Sequence, residues 1–220
     1  MRQCGGDARP DYDQRIGKSR KPNVEERRRV LCDAAIRVLA DHGSKGLTHQ
    51  KVDQYAAVPD GTTSYYYRTR AALLRAVAQR VADRDMENLR TVNGRSPESA
   101  SPFTRLAELV MAQGHGVGLE LNKARHELFL LSTRDPALAE TFDGFVRRII
   151  DMGRDAVITL QPGDDDALLD QQNVALTTFI SGALLRMIAG DKSIQSVDHL
   201  DKLLQAVAHG VTMQHTAGDR

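Results

Sequence analysis

The 220-residue chain is predicted to be all-α, and three observations carry that prediction. Apolar residues recur at three- and four-residue spacing along almost every segment after residue 23, which is the helical period. No stretch shows the strict apolar–polar alternation of a half-buried strand. Asn23, Thr48 and Thr69 stand just ahead of apolar stripes, where a side chain with a hydrogen-bond acceptor satisfies a free N–H of a first helical turn.

Residues 1–22 are rich in Gly, Asp, Arg and Pro, lack apolar periodicity and are predicted to form a disordered basic arm. Arg15, Lys18, Arg20 and Lys21 suit such an arm to phosphates or a minor groove, and equally suit it to a solubilising tail. Asn23 with Glu26 resembles a capping box, and Val30, Leu31, Ala34, Ala35, Val38 and Leu39 form a stripe ending near Gly43. Thr48 caps a second helix with Val52 and Ala56 inward. Ala57 to Gly61 breaks the pattern at Pro59, leaving Asp60 or Gly61 to open a short third helix, Thr62 to Tyr67, with Asp60 the expected cap.

Thr69 caps a fourth helix carrying Leu73, Leu74, Val77, Ala78 and Val81, predicted to end near Leu89, and Asn93-Gly94 to Pro102 reads as the boundary after it. Beyond it, stripes run through Phe103, Leu106, Ala107 and Val110; Leu128 and Leu131; Leu138, Phe142, Phe145 and Ile149; Leu176, Ile180, Ala183, Leu184 and Met187; and Leu200, Leu204, Val207 and Val211. Gly114-His115-Gly116-Val117-Gly118 lacks the strand, Lys-Ser/Thr ending and spacing of a phosphate loop, so it reads as a flexible connection.

Two short helices around a tight turn, followed by a capped helix, make a helix-turn-helix. The third helix has a length suited to the major groove. Net charge is only +1, but residues 1–80 hold 16 Lys/Arg against 9 Asp/Glu (+7), and residues 81–220 hold 14 against 20 (−6). The positive end coincides with the helix-turn-helix, as attraction to phosphates requires.

Thr48, three residues, Val52, then Ala56-Ala57-Val58-Pro59-Asp60-Gly61-Thr62-Thr63, an aromatic cluster, Thr69, Arg70 and Leu73 resemble the N-terminal domain of the tetracycline-repressor (TetR) family of bacterial transcription regulators. The resemblance covers residues 24–80, with Val30-Leu31, Ala34-Ala35, Leu39 and Gly43 at first-helix positions. Asp53, Ala57, Pro59, Thr63, Ser64 and Tyr67 depart from the family's usual Ala, Gly, Ser, aliphatic residue, Tyr and Phe. The resemblance implies an N-terminal helix-turn-helix domain (23–69) joined to a C-terminal helical ligand-binding and dimerisation domain (70–220).

The candidate DNA-binding residues are Thr48, His49, Lys51, Gly61, Thr62, Thr63, Ser64, Tyr65, Tyr66 and Arg70. Spacing turns Thr63 and Tyr67 inward and Thr62, Tyr65 and Tyr66 outward. The family resemblance gives Gly61 a close approach to phosphate, Thr62 a base or phosphate contact, Tyr66 and Arg70 phosphate contacts, and His49 an occasional base contact. The alternative makes Thr48 and Thr69 only caps and Tyr65 to Tyr67 only packing; Tyr67 reads as packing, and Tyr66 and Arg70 read as DNA contacts.

The family also implies a cavity among the middle helices. Its candidates are Phe103, Leu106, Val110, His126, Phe129, Phe145, Ile149 and Phe179, beside the polar Arg125-His126-Glu127 run. Arg134 and Asp135 read instead as a helix boundary before Pro136. The last two helices suggest a homodimer interface of Leu176, Ile180, Ala183, Leu184, Met187, Leu200, Leu204, Val207 and Val211, with Ser181-Gly182-Ala183 allowing close approach. Packing within one subunit produces the same stripes.

Seven histidines and two cysteines, Cys4 and Cys32, are scattered without metal-ligand spacing, and no catalytic series is present. The expectation is a non-enzyme without metal or cofactor. No apolar run approaches the roughly 20 residues of a membrane span and the N-terminus lacks a signal-peptide core, so a cytoplasmic, membrane-free protein is expected. The function expected is a ligand-responsive transcriptional regulator, most simply a repressor that binds a palindromic double-stranded DNA operator as a homodimer and is released by a small-molecule effector. The alternative is a helical ligand-binding or protein-interaction module that no longer reads DNA, a reading to which Asp53 and Asp60 lend support.

Overall fold

The computed structural model describes residues 23–95, 100–160 and 166–218; the predicted basic arm, 1–22, lies outside them. Among the described residues there are nine α-helices and no strand. α1 spans Val24–Gly46, α2 His49–Tyr55, α3 Thr62–Tyr66, α4 Arg70–Arg95, α5 Pro102–Met111, α6 Gly116–Ser132, α7 Pro136–Leu160, α8 Asp166–Ile188 and α9 Val197–Gly218.

Most starts obey local capping chemistry. Asn23 accepts the N–H of Glu25, and Glu25 and Glu26 complement the first-turn dipole of α1; the bond is to Glu25, so half of a capping box forms. Thr48 accepts the Lys51 N–H at 3.2 Å and Thr69 the Ala72 N–H at 3.1 Å, as predicted. Ser101 caps α5 ahead of Pro102, and Asp135 caps α7 through the Ala137 and Leu138 amides. α1 breaks at Gly43, whose backbone (φ +63°, ψ −177°) is far from helical.

Two predicted breaks shift. α4 continues through Asn93 and Gly94 to Arg95, since a lone glycine costs a helix only about 1 kcal/mol. The Gly114–Gly118 run is not a loose connection. Ala112–Gly114 forms a short 3-10 turn, α6 begins at Gly116, and a Cβ on Gly118 would collide with the Ala112 carbonyl.

Two apolar cores result. The first joins α1, α2, the start of α4 and α6, through Leu31, Val38, Leu39, Val52, Leu73, Val77, Leu121 and Leu128, and takes in Leu138 at the start of α7. The second joins α5, α8 and α9 with Val157 of α7.

That second core takes up most of the stripe predicted to form the dimer face. Leu176, Ile180, Ala183, Met187, Leu200 and Leu204 are buried within the subunit, and Leu184, Val207 and Val211 are half-buried. α8 and α9 spend these stripes on each other and on α5. The outward face of α8 is instead Val174 (65% exposed), Gly182 and Leu185 (56% exposed), with the exposed Thr178 and Ser181 at the edge of the cavity between the two cores, and that of α9 includes Ala206, Gly210 and Met213.

Candidate functional site

The helix-turn-helix is set by one buried carboxylate. Asp53, on α2, accepts the Gly61 N–H at 2.8 Å and the Thr63 N–H at 2.7 Å, and receives the Thr63 hydroxyl as well. A five-residue helix has little else to satisfy its free N–H groups, so Asp53 caps α3 from across the turn. This corrects the assignment of that cap to Asp60, which is exposed. Gly61 enters α3 with φ +87°, a left-handed conformation that favours glycine, and Ala57 in the same turn adopts φ +50° with a Cβ present.

The predicted DNA-facing residues divide. Ser64 and Tyr65 project from α3, Tyr65 80% exposed, with Tyr66 half-buried edge-on to it at 5.2 Å between ring centres. Thr48, Gly61 and Arg70 are exposed, and Lys51 is half-buried. Thr62 is half-buried and its hydroxyl donates to the Pro59 carbonyl at 2.6 Å.

Thr63 is wholly buried against Asp53, so its side chain is withdrawn from any ligand on this surface. The His49 ring is committed as well, its Nε2 donating to the Tyr67 carbonyl at 2.7 Å. Arg70 donates to the Ser44 carbonyl and ties the start of α4 to the end of α1. Arg68, exposed just beyond α3, adds a cation that sequence reasoning missed although it abuts the tyrosine cluster. Tyr67 packs inward as predicted, its hydroxyl 3.3 Å from Cys32 Sγ. Burial raises both the phenol and the thiol above their ordinary ranges.

Between the two cores lies a cavity of about 580 Å³ walled by α4, α5, α6, α7 and α8. Of the residues offered as ligand contacts, Leu106, Val110, His126 and Phe129 line it. Phe103, in the second core, and Phe179, packed against it, are not among the lining residues. Phe145 and Ile149 lie on α7 at positions whose side chains are outside those described.

The cavity's polar corner was largely missed. Arg125 pairs bidentately with Asp85 through Nε (3.1 Å) and Nη2 (2.5 Å), and Nη2 also donates to Gln113 Oε1 at 3.2 Å. Asn122 donates to the Leu184 carbonyl at 3.1 Å and accepts from Arg125, tying α6 to α8. Burial pushes the Asp85 carboxyl up, while the Arg125 guanidinium works against that rise. A signal was present: Asp85 continues the Val77–Val81 stripe, and Arg125 sits between Leu121 and Leu128. A charge on a buried face requires an opposite charge from elsewhere.

The same helices reach the reading unit. α4, capped by Thr69, starts at Arg70 and carries Asp85, Met86, Asn88 and Leu89 in the cavity wall. On α6, next to His126, Glu127 accepts the Ser44 N–H at 2.8 Å beside the Gly43 break. Among the described residues, no His, Cys, Asp or Glu cluster is placed to hold a metal ion, and no helix is long and apolar enough to cross a membrane.

Residues 103–212 match the family model described as "Tetracyclin repressor-like, C-terminal domain". No curated protein matches the chain. Among solved structures, the chain is similar to a TetR-family member of Streptomyces coelicolor A3 at 24% identity, with 83% of this chain and 98% of that one covered and a TM-score of 0.62. It is similar to a transcriptional regulator of Rhodococcus sp. Rha1 at 15% identity, with coverages of 85% and 96% and a TM-score of 0.67. The multidrug-binding protein EbrR in complex with malachite green is similar at 22% identity, with coverages of 83% and 98% and a TM-score of 0.61. The structural likenesses establish the fold, and the family model covers half of the chain directly behind the helix-turn-helix; the chain belongs to the TetR family of transcriptional regulators.

Proposed function

We propose that this regulator is a homodimeric repressor that binds a near-palindromic operator and is released when a small molecule fills the cavity. The observation that carries the proposal is the sharing of α4 and α6 between the cavity wall and the reading unit. An effector acts only by binding the DNA-incompetent arrangement more tightly, since equal affinity for both arrangements shifts nothing. The Arg70–Ser44 and Glu127–Ser44 contacts are where movement of α4 or α6 changes the pose of α1–α3.

In this reading residues 23–69 read DNA and 70–220 bind ligand and dimerise. Tyr65, Tyr66, Ser64 and Thr62 face the groove, and Thr48, Lys51, Arg68 and Arg70 surround it at phosphate level. The dimer forms on the outward face of α8 and α9 around Val174, Gly182 and Leu185, and a two-fold axis spaces the reading helices by about 34 Å or a multiple of it. The surface around α3 serves DNA and the cavity serves a ligand, so no turnover is assigned to the chain.

The test is selection of duplexes from a random library at near-physiological salt. A recovered near-palindrome supports the reading. Binding that fails to enrich any sequence with folded, dimeric protein supports a helical module that no longer reads DNA. Arg70→Ala should weaken all duplexes and reduce the salt slope by about one, whereas Thr62 substitutions should change sequence preference.

A further inference from the structure

The cavity wall constrains the chemistry of the molecule that fills it, a step that rests on the proposed effector reading. Asp85, Arg125 and His126 are the titratable side chains among the described lining residues. Asp85 and Arg125 neutralise each other in a bidentate pair, and Arg125 is further occupied by Gln113 and Asn122. A charged guest would lose its hydration and meet no uncompensated opposite charge, which is a net cost.

The rest of the wall is apolar, with Leu106, Val110, Phe129, Ile180 and Leu184 prominent. The amides of Asn88 and Gln113 give the wall N–H donors, and the His126 ring gives it an open acceptor. His126 Nδ1 lies 2.9 Å from the Asn122 carbonyl, which can only accept, so Nδ1 carries the hydrogen. In the neutral ring Nε2 is then a bare acceptor, and it has no partner among the described residues. The hydroxyls of Thr177 and Ser181 likewise donate to backbone carbonyls at 2.8 Å, turning their remaining lone pairs to other donors.

We propose that the effector is a neutral, mainly apolar molecule with a hydroxyl-type donor, oriented by a hydrogen bond to His126 Nε2. The donor requirement follows from the open acceptor at His126 Nε2, and the neutrality from the closed Asp85–Arg125 pair.

A fluorescence titration of the purified full chain, without DNA, tests this with four matched probes: hydroxypyrene, methoxypyrene, pyrenecarboxylate and pyrenemethylammonium. Hydroxypyrene should bind about tenfold more tightly than methoxypyrene, the scale of one hydrogen bond, and more tightly than either ion. His126→Phe should abolish the preference, so that hydroxypyrene and methoxypyrene bind with equal affinity; His126→Met serves if the first variant does not fold. Equal or tighter binding of either ion, a hydroxyl preference that survives both substitutions, or no saturable hydroxypyrene binding overturns the proposal. Because DNA is absent, these outcomes are separate from operator release: a bound probe that leaves the operator complex intact counts against the regulator mechanism alone.

Discussion

The Asp53 carboxylate on α2 holds Thr63 on α3 through both the Thr63 amide, at 2.7 Å, and its hydroxyl, with the two side chains 1% and 0% exposed. The pair fixes where the recognition helix begins and how it is rotated, which sends Tyr65 outward. Truncation as Asp53→Ala leaves the Gly61 and Thr63 amides without acceptors, at an expected cost of about 2–4 kcal/mol. Asp53→Asn, which keeps one acceptor oxygen, should fall between. Denaturant unfolding and hydrogen exchange at the two amides measure this; wild-type stability in Asp53→Ala would sink the assignment.

Ala57 carries its side chain through a turn at φ +50°. L-residues there are disfavoured by about 1–2 kcal/mol, partly offset by the greater unfolded-state entropy of glycine. Ala57→Gly should therefore stabilise the chain by about 0.5–1 kcal/mol, seen as a higher urea midpoint at unchanged m. A lower midpoint would show that the Ala57 methyl contributes more than its backbone costs.

Glu127 links the cavity-lining helix to the end of α1 through the Ser44 amide. Glu127→Ala should cost about 1–2 kcal/mol of stability and diminish the factor by which effector changes operator affinity, about tenfold for a coupling loss of 1.4 kcal/mol. Effector affinity measured with and without operator gives that factor directly. An unchanged factor would place the coupling on α4 alone.

Burial raises the Tyr67 phenol above its ordinary 10.0 and the Cys32 thiol above 9.0. The folded chain thus holds both protons more tightly than the unfolded chain. Their contribution is complete below pH 9 and is lost as pH rises, first through Cys32 and above pH 10 through Tyr67 as well. Unfolding midpoints measured across this alkaline range should fall less steeply for Tyr67→Phe than for wild type. Parallel slopes would exclude Tyr67 as a source of the decline.

The features legible in the linear chain are those encoded within a few residues. Thr48, Thr69 and the Arg134–Pro136 boundary stand where capping and proline chemistry put them, and apolar spacing located all nine helices, with α3 marked by its flanking turn. The inward Tyr67 and outward Tyr65 follow from the same period.

Features depending on partners far along the chain were hidden. Asp53 reads as a misplaced charge until Thr63 is folded onto it ten residues away. Asp85 and Arg125, forty residues apart, are intelligible only as a pair. The stripes of α8 and α9 correctly mark burial, yet folding spends them inside the subunit and leaves Val174, Gly182 and Leu185 outside. Local geometry repeats with the backbone period, so a sequence displays it. The identity of the surface that covers a stripe, or of the group that neutralises a buried charge, is set by how distant helices pack, because burial energy depends on area removed from water and not on which neighbour removes it.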